Sequence, residues 1–272
     1  MQASTEWQLA RDAAERYEQI LVPAILGPAA KALVDWSDPR VHEAVLDVGC
    51  GTGAAARFAA EKDEPPHRVV GVDINPGMLE VAQSSAVGRG TEIEWLQHSA
   101  YELPFEEGEF DLALCAQTLQ FLKEAPRAVA EMHRVLKPGG RVALSLWCDI
   151  GESPYFDSLV EAMSTHVGAK TAAGLRSAFD LCDIDIIRSL VTSAGFTQFD
   201  SAVKELSLEL PKPEAFVPRH VSATPMSVGF SSATEEARQA VVRDVSERMA
   251  PYEAGECVRV PFRTHLVTAV RG

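Results

Sequence analysis

The chain has 272 residues, 46% of them hydrophobic and 24% charged, with a formal net charge of −14. Such a length and composition suit one large globular domain, or a domain with a cap, and supply ample apolar material for a core. The acidity argues against nucleic acid as a partner, since phosphate binding needs a basic surface, and no uncharged apolar run reaches the ~18 residues of a membrane span.

Met1 to Glu6 lack a basic region followed by an apolar core, so no secretory leader is expected. Residues 5–36 read as helix in two pieces. Trp7, Leu9, Ala10, Ala13, Ala14, Tyr17, Ile20 and Leu21 recur at helical spacing, and Pro23 suits the first turn of a second helix. Trp7 and Tyr17 are candidates for lining a cleft, with packing against the main domain the plainer role for each. The rest of the chain is organised around Val45-Leu46-Asp47-Val48-Gly49-Cys50-Gly51-Thr52-Gly53-Ala54-Ala55-Ala56. A buried strand runs into glycines at alternate positions and then an alanine-rich helix, the first half of a βαβ unit. The turn permits backbone to lie against a ligand, and the helix start offers free N–H groups.

Two readings of this turn compete. As G-x-G-x-x-A it fits a dinucleotide fingerprint. As acid-x-G-x-G-x-G, with Asp47, Gly49, Gly51 and Gly53, it places a carboxylate on the strand end, which repels a pyrophosphate and suits an ammonium or sulfonium ligand. A second strand, Arg68 to Val72, ends at Asp73, about twenty residues past the glycines, where a carboxylate can accept from both hydroxyls of a ribose. Asn75 is the better cap for the helix 76–86, which ends near Gly88 and Gly90. Strand three is Glu92 to Gln97, followed by His98-Ser99-Ala100-Tyr101-Glu102-Leu103-Pro104-Phe105. Strand four, Phe110 to Cys115, leads into Gln117 and Gln120, uncharged groups at a strand end that can orient a second ligand. A helix over 125–136, the turn Arg134-Val135-Leu136-Lys137-Pro138-Gly139-Gly140 and strand five, Val142 to Trp147, come next.

Beyond strand five the reading is a helix near 155–167, a small-residue loop over 168–174, a helix over 183–194, strand six over 198–208, a polar helix over 234–249 and a final strand over 258–270. The segments at about 151–180 and 211–256 read as insertions. Five scattered cysteines show no metal-ligand spacing, and buried thiols in a reducing, cytoplasmic setting are expected. No metal site is predicted.

Together the acid–glycine turn, Asp73, the Leu103-Pro104-Phe105 turn and the Arg134–Gly140 segment resemble the class I S-adenosylmethionine (SAM) methyltransferases. In its core the chain is similar to the bacterial quinone-biosynthesis enzymes. The resemblance implies an α/β, Rossmann-like, seven-stranded sheet, mostly parallel, of order 3-2-1-4-5-7-6 with strand 7 antiparallel and helices on both faces. It implies a single domain over 1–272, with the N-terminal helices 5–36 and the two insertions forming a helical substrate cap. SAM is the implied cofactor and S-adenosylhomocysteine the product. Asp47, Gly49, Gly51, Gly53, Asp73, Ile74, Met78, Ser99, Ala100, Cys115 and Gln117 are the implied cofactor-binding residues, with Leu103 beside Ile74 as an apolar wall. Ser99 stands where the family has aspartate. Gln117, His166 and His220 are the candidates for the chemical step, the histidines as bases. The expected partner is a small apolar or aromatic methyl acceptor, with no nucleic acid and no integral membrane segment; oligomeric state, a homodimer included, stays open. The alternatives are a non-catalytic SAM-binding module and an NAD(P)-dependent oxidoreductase.

Overall fold

The computed structural model describes residues 11–86 and 92–272; Trp7, Gly88 and Gly90 lie outside them. One continuous helix, Arg11–Ser37, opens the described chain. It runs as α1 (Arg11–Arg16), a π-helical stretch (Tyr17–Leu26) and α2 (Gly27–Ser37). Pro23 does not start a second helix, contrary to expectation. It sits inside the π-helical stretch, where wider winding absorbs a residue without an N–H. By length and composition Arg11–Ser37 is apolar enough to cross a membrane, yet 56% of its most apolar window is buried within the fold. Its apolar residues are spent on packing: Ala30, Leu33 and Val34 of α2 cover one face of the sheet.

Strand β1 (Ala44–Val48) is buried at all five positions, as a central parallel strand must be. After the glycine turn come α3 (Ala54–Ala60), β2 (Arg68–Asp73), α4 (Pro76–Ala86) and β3 (Ile93–Gln97). Asn75 caps α4 as expected, its Oδ1 accepting from Gly77 N (2.9 Å) and Met78 N (3.3 Å). Next are β4 (Phe110–Ala116), a 3-10 turn (Leu119–Phe121), α5 (Ala125–Val135) and β5 (Leu136–Trp147). β5 begins earlier than the sequence implies. Leu136 already pairs with Phe110, and the Pro138–Gly140 turn is a bulge before pairing resumes at Leu112 and Arg141.

Helices α6 (Pro154–His166), α7 (Ala169–Arg176) and α8 (Ile184–Ser193) precede β6 (Phe196–Pro211). The expected loop over 168–174 is therefore mostly helix: within α7 alanine, lysine and leucine outweigh the one glycine, Gly174. Helices α9 (Pro213–Ser222), α10 (Ser227–Ser232) and α11 (Glu235–Met249) fill the second insertion, before β7 (Glu253–Ala254) and β8 (Cys257–Arg271). The sheet order is β3-β2-β1-β4-β5-β8-β6, with the two-residue β7 paired only to β8. Strands β1 to β5 pair in parallel, and β8 runs antiparallel to both neighbours. This is the expected order, the last strand being eighth only because β7 intervenes.

Three packed layers position the cleft. One sheet face packs on α5 and α8 through residues such as Val129, Met132 and Ile187. The other packs on α2 and α3. A third cluster joins the inserted helices to the π-helical stretch around Trp147, whose ring lies 4.9 Å from Phe156 and 4.7 Å from Phe179. The cleft opens where these layers meet, at the carboxyl ends of β1, β2, β4 and β5.

Candidate functional site

The glycine turn leaves β1 by hooking over β2: the N–H groups of Gly49 and Cys50 both donate to Val72 O (2.8 and 3.0 Å). Gly51 has φ +55, and a Cβ there would point into open space, so this backbone is bare toward the cleft. Its N–H donates to Asp73 Oδ2 (2.8 Å), and Asn75 N donates to Asp73 Oδ1 (2.8 Å). Those two bonds pin the Asp73 carboxylate at the rim. Burial pushes its pKa above the ordinary carboxylate range, against the pull of these backbone donors.

Beneath the turn is a small recess lined by Asp47, Thr52, Tyr17 and Gln117 among others. Asp47 is fully buried. Its Oδ2 accepts from Ala56 N (3.0 Å), while Oδ1 has no partner. Burial drives this carboxyl up to about 7, with the nearby Asp73 charge adding to the rise. Thr52 Oγ1 is also buried and unpartnered. So is Glu18 Oε2; the other oxygen of Glu18 pairs with Arg57 Nη2 at 2.7 Å. Buried acceptors without donors are costly, and a cation with several N–H groups fits the two that line the recess, Asp47 Oδ1 and Thr52 Oγ1; Glu18 does not line it.

From the recess an inner cleft extends past Gly49, Gly51, Asp73, Ile74, Met78, Ser99 and Ala100. Ser99 Oγ also accepts from Tyr101 N (3.2 Å), so the serine shapes its own turn while facing the cleft. Gln117 faces both recess and cleft. It has φ +53, and neither atom of its buried side-chain amide has a partner. A left-handed backbone at a non-glycine residue beside unpaired polar atoms is strain of the kind that collects at binding sites.

The far end of the cleft is aromatic, walled by Tyr17, Phe121, Trp147 and Phe156, with His220 among them. His220 Nδ1 lies 2.9 Å from the Tyr155 hydroxyl, and burial lowers the imidazole to about 3. It is therefore neutral and held in one orientation.

The cleft thus gathers Gly49, Gly51, Asp73, Ile74, Met78, Ser99, Ala100, Gln117 and His220, with Asp47 in the recess. Four expected residues lie elsewhere. His166 faces away: its Nε2 meets Asp244 Oδ2 of α11 at 2.6 Å, because α6 turns its last residue toward α11. Cys115 points into the core on the α5 side of the sheet, its thiol pushed up to about 12 by burial. Gly53 seats the Trp95 ring, 2.2 Å from where its Cβ would be, and so serves packing. Leu103 likewise is core. Sequence reasoning misses Trp147, Phe156, Phe121 and Tyr101 as cleft walls. Trp147, the last residue of a predicted strand, carries a positional signal; the others become neighbours only through tertiary packing. Among the described residues no group of three or more His, Cys, Asp or Glu side chains could hold a metal ion.

Residues 46–144 match the methyltransferase domain family. The chain is 40% identical over 119 residues to aklanonic acid methyltransferase DauC of Streptomyces sp. (strain C5), a match covering 43% of this chain. It spans about half that relative's length, 54%. To nocamycin O-methyltransferase of Saccharothrix syringae it is 26% identical over 257 residues, covering 89% of this chain and 90% of the relative. Phosphoethanolamine N-methyltransferase 2 of Haemonchus contortus, solved with S-adenosyl-L-methionine, superposes with a TM-score of 0.60 at 20% identity, over 96% of this chain and 57% of that one. The family match thus spans the glycine turn, Asp73 and the strands through β5, and the chain shares the fold of the solved Haemonchus contortus enzyme.

Proposed function

We propose that the protein is a SAM-dependent methyltransferase acting on a small apolar or aromatic acceptor. The observation that carries this reading is the recess: the orphaned Asp47 Oδ1 and Thr52 Oγ1 under a bare glycine backbone, opening into a cleft with Asp73 at its rim. These residues fit the donor's three parts. Asp47 and Thr52 face its amino-acid end, Asp73 its ribose, and Ile74, Met78, Ser99 and Ala100 its adenine. When bound, SAM would supply an electrophilic methyl carbon, open to attack by an acceptor lone pair as the sulfur–methyl bond breaks and S-adenosylhomocysteine leaves.

Alignment and exclusion of water are what this chain contributes. Trp147, Phe156 and Phe121 give the acceptor a dry wall. His220, neutral and tied to Tyr155, orients the acceptor by a hydrogen bond; at about 3 its imidazole is too weak a base to lead the reaction. Gln117 stands between the two ligands. The helices of the two insertions, with the π-helical stretch, close over the acceptor as a cap within one domain. Cys50, Cys115 and Cys148 are buried and free, in keeping with a cytoplasmic setting.

Calorimetric titration with S-adenosylhomocysteine tests the donor site. Binding is expected in the wild type, and Asp73→Asn is expected to weaken it by roughly tenfold or more, the loss of one charged hydrogen-bond acceptor. No binding by the folded wild type, or an unchanged affinity in Asp73→Asn, overturns the assignment. Transfer of labelled methyl from SAM into aromatic metabolites is the matching activity assay.

A further inference from the structure

A second cavity of ≈ 730 Å³ adjoins the inner cleft, and the two share Phe121, Leu122, Leu175 and Thr224 as common walls. The 3-10 turn Leu119–Phe121 forms the sill between them. Leu119 is buried in the core, Phe121 faces both spaces, and Gln120 faces the outer one. Both amide atoms of Gln120 are buried and have no hydrogen-bond partner. Gln117, 8% exposed and three residues earlier, is in the same condition on the inner side. On the wall facing the inner cleft, Trp147 Nε1 is a third buried donor without an acceptor. Thr171 and Ser177 add hydroxyls to the outer wall.

Both spaces are walled mostly by apolar side chains, so the few polar atoms on their walls, the Gln120 amide among them, sort acceptors by where their oxygens lie. A hydrocarbon tail in the outer chamber would leave the Gln120 amide as it stands, a donor and an acceptor buried and unpaired. A molecule bearing a carbonyl there to accept from the amide N–H, and a hydroxyl to donate to the amide oxygen, would satisfy both.

We infer that Gln120 is a specificity-determining residue for an extended, multiply oxygenated aromatic acceptor: one ring lies against Trp147 and Phe156, and an oxygenated portion passes over the sill to the Gln120 amide. This rests on the methyltransferase reading and narrows its acceptor class, setting a long-chain isoprenoid quinone aside.

The test uses the full chain saturated with S-adenosylhomocysteine and two probes, 1,8-dihydroxyanthraquinone and phylloquinone. Affinities are read by calorimetry or ligand fluorescence for the wild type and for Gln120→Met, which keeps length and removes the amide. The wild type is expected to prefer the dihydroxyanthraquinone by roughly tenfold or more, as a site built for hydrogen bonding rejects a partner that lacks it. Gln120→Met is expected to lose most of that preference while binding S-adenosylhomocysteine like the wild type, which also certifies its fold. Gln120→Asn, which retains an amide, is expected to keep part of the preference. Equal binding of both probes by the wild type, or a preference unaltered in Gln120→Met, overturns the inference. Failure of the wild type to bind S-adenosylhomocysteine falls on the donor assignment instead, and probe binding to the unloaded protein is read separately.

Discussion

Asp47 combines full burial, one unpartnered oxygen and a pKa raised to about 7. A carboxyl raised in the folded state stabilises the fold most below its unfolded value, near ~3.9, and that contribution is lost as pH rises through about 7. The unliganded protein is therefore expected to lose stability between pH 4 and 7 through this group, and Asp47→Asn to flatten that decline in urea unfolding. A cationic amine in the recess reverses the preference, since an opposite charge favours the ionised carboxylate. S-adenosylhomocysteine should then bind more weakly as pH falls from 7 to 5, with proton release seen as buffer-dependent heat. Equal pH dependence in Asp47→Asn would contradict this. His220 acts in the opposite sense. Lowered to about 3, it withholds a proton that the unfolded chain takes up, so it subtracts stability as pH falls below ~6.5. Its neutrality above pH 5 leaves no histidine limb from this residue in a pH–rate profile.

At the scale of elements, the end of β1 away from the glycine turn is anchored by Glu43 and Arg141. The pair is bidentate, Nη1–Oε1 at 2.7 Å and Nη2–Oε2 at 3.0 Å, and Arg141 also donates to Ser37 O at the end of α2. It ties α2, β1 and β5 together, and Glu43 is almost fully buried. Removing the acid from a buried pair strands a guanidinium, so Glu43→Ala should cost about 2–4 kcal/mol in denaturant unfolding. Donor affinity should hold within about twofold, because the pair lies at the opposite end of the strand from the site. The parallel core is legible without the fold: β-branched runs, glycines at alternate positions and capping residues are local signals, and β1, α4 and α5 come directly from them. Pro23 misleads because proline is commoner in a helix's first turn than inside a π-helical stretch. His166 and Cys115 mislead because direction around a helix or across a strand, not position in sequence, decides whether a side chain meets the cleft. The aromatic wall has no local signature, since β5, α6 and the 119–121 turn converge only in three dimensions.

For the whole molecule, a net charge of −14 means that compaction works against self-repulsion. Added salt shortens the Debye length, to about 8 Å at 0.15 M. Raising sodium chloride from low ionic strength to 0.15–0.3 M is therefore expected to raise the unfolding midpoint, by roughly 2–4 °C for each kcal/mol of repulsion relieved. Scanning fluorimetry across that series checks it; a falling midpoint would mean that surface pairs such as Arg263–Glu152 outweigh the excess charge.

The position of β8 between β5 and β6 carries a consequence for biosynthesis. A ribosome delivers β5, then β6, and only afterwards the segment that belongs between them. In that interval the growing chain displays two unpaired strand borders that are close in space and free to zip to each other or to a neighbour's. Closure of the sheet must await Cys257–Arg271, so the nascent protein passes through a window of exposure in which a holding chaperone would improve its yield.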